Sequence, residues 1–251
     1  MKKLLLLLVL TASGFVCKEL CAQIVNIEDR RATLDSTGVY WQGDFGGKLT
    51  QNTSSVLSLS AAVRMDALGE KRQWLLLGNY NLVQSGDNRV INEAYGHLRY
   101  GQPISEDWTW EAFGQLQFNN RLFITQRALA GTGPRYQLQD RDAFDIALGL
   151  LYMYEYNELE QSEIPVYRRD HRLSAYISMR WQLAEHASLA STSYYQPLLD
   201  NFGESRLSTV NSLNVSLGRN LSFSTALSLT YDDLLARIVG EIPSTSYQWQ
   251  N

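Results

Sequence analysis

Cysteine is nearly absent. The 251-residue chain has two, Cys17 and Cys21, and both lie in an N-terminal stretch that reads as an export signal. Met1, Lys2 and Lys3 give a charged start, Leu4 to Leu10 an apolar run, and small residues follow as far as "CKELCAQ". Cleavage after Ala22 removes both cysteines, leaving a chain with neither disulfides nor a thiolate metal site. Neither cysteine follows the Leu-Ala-Gly type of sequence that a lipid anchor requires. Long apolar runs are missing too: past the signal no stretch approaches 18 residues, which excludes a membrane-spanning helix. Charge of one sign is also lacking, since a formal net charge of -4 and a pI near 5.4 offer no basic stripe for nucleic acid. Histidine is sparse. His97, His171 and His186 are the three present, and none stands in a His-x-Ser-Asn-Gly or Gly-x-Ser-x-Gly context. A Ser/His hydrolase therefore has little support, and no catalytic residue is assigned.

What the chain has in abundance is alternation. In "DWTWEAFGQLQF", Trp108, Trp110, Ala112, Gly114, Leu116 and Phe118 occupy every second position, giving a strand one apolar and one mostly polar face. The pattern recurs in Val39 to Leu49, Leu57 to Met65, Glu93 to Tyr100, Phe144 to Tyr156, Asp170 to Trp181 and Leu221 to Tyr231, with less regular copies between. About eleven strands of roughly 10 to 13 residues result, with an incomplete twelfth at Ser246 to Asn251.

Alternation alone fits a soluble sandwich or lipocalin-like barrel as well as a membrane barrel. Strand length separates them, because globular strands average about 5 to 6 residues and tilted spanning strands need about 9 to 11. Aromatics at strand ends (Trp74, Tyr80, Tyr100, Trp108, Tyr156, Trp181, Tyr231) suit interface girdles. The alternate face carries Glu93, His97, Arg99, Glu111, Arg127, Asp145, Arg172 and Arg180 in mid-strand positions, as a polar lumen requires. With Asp44, Glu155, Lys48 and Arg64 added, the inward charges nearly cancel. That balance predicts either a weakly selective channel for small polar solutes or a lumen closed by ion pairs, its long outer loops around Glu158 to Tyr167 and Asp232 to Ser246 carrying the function.

Smaller motifs reduce to turn and strand chemistry. "GTGP" (Gly131 to Pro134) precedes no helix and reads as a kink or bulge ahead of a turn, not a phosphate loop. "DSTG" and "SGDN" lack the spaced carboxylates of a calcium loop, and "NELEQSE" reads as a solvated acidic loop. No cofactor or metal site is expected. "GQPISED", "LQDRD", "LAEH" and "GRN" fall at one end of the strands, while "QSGDNR", "NELEQSEIPVYRR", "PLLDNFGES" and "DLLARIVGEIPSTS" fall at the other. Short periplasmic turns and longer outward loops then orient the barrel.

"IVNIEDRR", "WLLLGNYNLV" followed by "NEAYGHLRYG", "GTGPRY" leading into "LGLLYMYEY", and "RDHRLSAYISMRW" resemble a family of undefined function whose members are described as salt-induced outer membrane proteins. The resemblance runs from about Ile24 to Asp232. It implies a twelve-stranded outer-membrane β-barrel of a Gram-negative cell and carries over no catalytic or ligand residues. Outer-membrane barrels generally close on a strand ending in Phe or Trp, whereas this chain stops at "SYQWQN". The expected organisation is a signal peptide (1–22), a periplasmic N-terminal segment (23–37) and an all-β, antiparallel, up-and-down barrel (38–251). Its expected partners are outer-membrane lipid and lipopolysaccharide, the barrel-assembly machinery and a small polar solute.

Overall fold

The structure, a computed structural model, describes residues 37–53, 55–69, 71–141, 143–161, 164–218 and 221–250. The signal peptide and almost all of the N-terminal segment lie outside the described residues.

Twelve strands follow one another: β1 (Gly38–Gln51), β2 (Ser55–Leu68), β3 (Gln73–Ser85), β4 (Asn88–Pro103), β5 (Trp108–Asn119), β6 (Ile124–Arg141), β7 (Phe144–Gln161), β8 (Ile164–Ala184), β9 (Ala187–Pro197), β10 (Ser205–Ser216), β11 (Ser222–Asp232) and β12 (Thr245–Gln250). They form one antiparallel sheet in sequence order, so each strand pairs with its chain neighbours through a local connection. The end bearing the β1–β2, β3–β4 and later odd-to-even connections is called upper, the opposite end lower. A 3-10 turn, Asn120–Leu122, joins β5 to β6, and one short helix, α1 (Asp233–Val239), lies between β11 and β12. The first described strand begins at Gly38.

The sheet curls on itself. Tyr176 of β8 donates to Glu111 of β5, and Arg206 of β10 reaches Glu155 of β7, contacts possible only if the strands wrap around a common interior. β1 and β12 are the two edges, and no pairing between them is found among the described residues. β12 pairs with β11 from Tyr231↔Thr245 to Ala226↔Gln250.

Packing is inverted relative to a sandwich. The convex face carries the apolar set, with Leu116 61% exposed, Leu150 51%, Ile177 47% and Leu148 40%. The concave face carries the buried polar set, including Arg99, Glu111, Arg127, Glu155, Arg172 and Arg206. Cross-strand aromatic pairs Trp74–Tyr100, Trp108–Tyr136 and Phe144–Trp181, with centroids 4.7, 4.8 and 5.9 Å apart, mark the lower end of three successive hairpins. Such contacts contribute beyond simple area burial.

Three expectations need correcting. "NELEQSEIPVYRR" is not a long loop: β7 runs to Gln161 and β8 starts at Ile164, and their pairing continues to Gln161↔Ile164. Its charges disguised an alternation that persists to the tip, and His171 consequently lies well inside β8. "GTGP" is not a kink, because Gly131 to Arg135 keep one register against β5 and β7 and the shifts of β6 fall elsewhere. Its glycines serve close approach, since a Cβ at Gly131 would overlap the Phe113 ring. Asp44 and Lys48 keep the expected concave side of β1 but are exposed rather than enclosed, this strand being at the open edge.

Candidate functional site

The interior is built in two ionic layers. In the lower one, Arg99 of β4 and Glu111 of β5 pair at 2.9 Å, and the Tyr176 hydroxyl donates to the same carboxylate at 2.9 Å. The Arg99 guanidinium lies over Phe113 and Tyr176, 5.6 and 5.9 Å from their centroids, so the cation is held by a carboxylate and two ring faces. Tyr176 fits flat because its neighbour on β7 is Gly149, where a Cβ would overlap the ring. His97 stacks on Phe113 and is hydrogen-bonded through Nδ1 to Gln115 at 3.0 Å.

The upper layer centres on Glu155, fully buried on β7. Arg127 of β6, Arg172 of β8 and Arg206 of β10 approach its carboxylate at 3.2, 2.9 and 2.9 Å, and Asn157 donates to it at 2.8 Å. Arg206 also pairs with Asp232 of β11 at 2.7 Å. Three guanidinium groups thus share two carboxylates. Charges removed from water persist only with partners of this kind. One net positive charge remains, moderated by Asp170, 3.8 Å from Arg172 and itself paired with Arg168.

Between the layers lies a cavity of about 40 Å³ lined by His97, Arg99, Gln117, Arg127, Tyr194 and Arg206 among others. That holds about three waters. Above the upper layer, α1 packs on the rim. Leu235 and Val239 pack with Leu122, Ile124 and Leu159 into an apolar collar. Asp232 joins collar to lumen: one carboxylate oxygen caps α1 through the Leu235 N–H at 3.0 Å, the other holds Arg206. Gly240, with φ +76, ends the helix. Outside, Arg237 bridges Asp233 and Glu204 at 2.9 and 3.1 Å.

Of the eight lumen candidates, His97, Arg99, Glu111, Arg127 and Arg172 are buried in these layers. Glu93 is half-buried and accepts from Asn81 and Asn119. Asp145 accepts from Gln137, and Arg180 is half-buried opposite it across the β7–β8 ladder. Sequence reasoning did not single out Arg206 and Asp232. Both sit where a strand meets a segment read as loop; they pair with each other across the β10–β11 ladder, and Arg206 also reaches Glu155 three strands away. Among the described residues no group of His, Cys, Asp and Glu is placed to hold a metal ion.

A model of the family described as proteins of unknown function, DUF481, matches residues 43–236. No curated protein matches the chain.

Proposed function

The chain belongs to the DUF481 family, and from that premise and the geometry we propose that it is an outer-membrane β-barrel whose lumen is closed by its own side chains, acting through its lipid-facing wall and upper rim. The observation that carries this reading is the inversion of the sheet. A soluble monomer rarely exposes more than a few hundred Å² of contiguous apolar surface, yet here at least one large apolar side chain stands exposed on every strand from β1 to β12. Buried carboxylates and guanidiniums occupy the concave side.

Height supports the same reading. On β8, Trp181 and His171 are ten residues apart, as are Phe144 and Tyr154 on β7. At about 3.3 Å per residue and a tilt of about 45° this spans about 23 Å, close to the roughly 25 Å apolar band of such barrels. The tyrosines Tyr152, Tyr154, Tyr195, Tyr231 and Tyr247 fall near the upper border, and the three aromatic pairs near the lower. The salt-induced, outer-membrane character implied by the sequence resemblance belongs to this proposal.

Closure of the lumen rests on its filling: Glu111, Glu155 and Arg172 are at most 2% exposed, where an open pore would leave such groups in water. The test is twofold. The full-length protein should co-fractionate with outer membranes and migrate differently on gels with and without boiling, and the purified barrel should be silent in planar bilayers. A freely soluble, unshifted protein defeats the membrane reading; stable conductance steps defeat the closed lumen. A second reading, passage of a small polar solute along β1, draws on the exposure of Gln42, Asp44 and Lys48 on its concave side. It requires steps that change on Lys48→Ala.

A further inference from the structure

The segment "RRDHR" of β8 distributes its charges unequally. Arg168, Asp170 and Arg172 face the interior, where Arg168 pairs with Asp170 at 2.9 Å and Arg172 with Glu155 at 2.9 Å. Arg169 and His171 take the intervening positions and are exposed on the convex face, among apolar and aromatic side chains. A cation on the lipid face of a barrel is costly at mid-height and tolerated near the interface. Both sit at that border, His171 ten residues from Trp181 and Arg169 twelve. The phosphates of a lipid leaflet lie at this level.

Tyrosines surround the two cations on this face. Tyr154 stands opposite His171 across the ladder, and Tyr156 opposite Arg169. The His171 ring stacks on Tyr152 and lies 5.3 Å from Tyr154, and its Nδ1 is hydrogen-bonded to the Tyr152 hydroxyl at 2.5 Å. In the tautomer in which that hydroxyl donates to Nδ1, the ring proton sits on Nε2 as an available donor. Arg169 and His171, two residues apart on one face, are about 7 Å apart at Cα, a span that one phosphate bridges with a forked guanidinium on one side. Among the described residues no ion pair engages Arg169; the acidic position that shares its face of β7, Glu158, stands opposite Tyr167, diagonal to Arg169.

A second feature lies at the same height. The ladder of β5 and β6 shifts between Gln117 and Asn119. Together with the small residues Ala94 and Gly96 on β4, this opens a groove of about 490 Å³ flanked by Leu116, Phe118, Thr125 and Gln126. Phe118 is ten residues from Trp108, the same count that places His171. Two strand spacings, about 10 Å, separate β6 from β8.

We propose that Arg169 and His171 bind a phosphate of a multiply acylated, phosphorylated glycolipid of the outer leaflet, the lipid A part of lipopolysaccharide, while one of its acyl chains occupies the groove between β4 and β6. The offset of about 10 Å from β8 to the near wall of the groove, about 14 Å to its centre on β5, suits a disaccharide headgroup that carries phosphate and acyl chains side by side. This inference rests on the membrane reading above.

The experiment uses the full-length protein refolded in detergent, with its heat-dependent gel shift as the folding control and native mass spectrometry as the readout. The probes are bisphosphorylated lipid A, the same lipid after dephosphorylation, and inorganic phosphate. The expected result is retention of bisphosphorylated lipid A by the parent protein, about tenfold weaker retention of the dephosphorylated lipid, and no measurable competition by equimolar inorganic phosphate. The double variant Arg169→Gln/His171→Gln should lose about tenfold for the phosphorylated lipid only, Gly96→Trp should weaken both lipids, and Arg169→Lys should recover part of the loss. If the double variant does not fold, Tyr152→Phe, which removes the hydroxyl that orients His171, should still weaken phosphorylated lipid selectively. Equal retention of the two lipids, parent-like retention by the double variant, or full competition by inorganic phosphate overturns the site. Loss of the gel shift and of membrane fractionation in the parent protein instead overturns the membrane reading.

Discussion

Replacing Glu155 with Gln probes the upper ionic layer most directly. Gln keeps the shape, and its carbonyl can still accept from Asn157, but the charge facing Arg127, Arg172 and Arg206 is gone. Asp232 would then hold Arg206, Asp170 would remain 3.8 Å from Arg172, and Arg127 would keep its hydrogen bond to Asn157 but lose its carboxylate. Removing one partner of a buried pair costs about 3 to 5 kcal/mol, most of it the penalty on the charge left behind. Three guanidiniums lose a carboxylate here at once, so the upper part of that range is expected. The assay is denaturant unfolding of the refolded barrel, followed by the heat-dependent gel shift and extrapolated linearly. Arg172→Gln in the same background gives the control. Removing both charges returns the layer to its original net charge, so the double variant should be less destabilised than the sum of the singles, with a coupling of about 1 to 3 kcal/mol. A loss under about 1 kcal/mol for Glu155→Gln, with additive singles, would show that the layer is not a coupled ionic unit and would refute the reasoning.

The facing of the wall is tested by Leu148→Arg and Ile177→Arg, midway between the girdles, each expected to cost about 2 to 4 kcal/mol of assembly stability. Unchanged gel shifts in both would contradict it. Gly149→Val forces a branched side chain into the Tyr176 ring, at a cost of about 1 to 3 kcal/mol, partly relieved in Gly149→Val/Tyr176→Ala; the same unfolding curves measure both. Asp232→Asn keeps a competent cap for α1 but discharges the partner of Arg206, whereas Asp232→Ala loses both. Limited proteolysis at Asp233 to Val239 should therefore be much faster in the Ala variant, which gives up about 1 kcal/mol of capping, and equal cleavage of the two would remove Asp232 as the link between α1 and lumen.

Strand number and the assignment of faces were legible because they depend on a local period of two, which survives even where single residues deviate. Arg99, Glu111, Arg127 and Arg172 could be placed inside for the same reason. Which of them meet could not be read, since Glu111 finds Tyr176 and Glu155 finds Arg206 across 65 and 51 residues, distances set by the curl of the sheet. α1 left a fainter trace: Asp232 as a cap, apolar residues at 234, 235, 238 and 239, and Gly240 as a stop. Seven residues are too few to give a helical period much weight against the surrounding strands.

The strictly sequential order of the sheet separates the chain's assembly into two kinds of event. Every ladder joins neighbours and closes a short loop, so hairpins can be laid down one at a time as the chain is delivered, each presenting an apolar face to its surroundings. The ionic layers belong to no single hairpin. Glu155 gains Arg206 only after three further strands are in place, and the entropic cost of bringing such distant residues together is met late. Until that step Arg127 and Arg172 share the one carboxylate of Glu155 on the concave side, so the water that leaves the interior last is the solvent that keeps the half-built sheet tolerable.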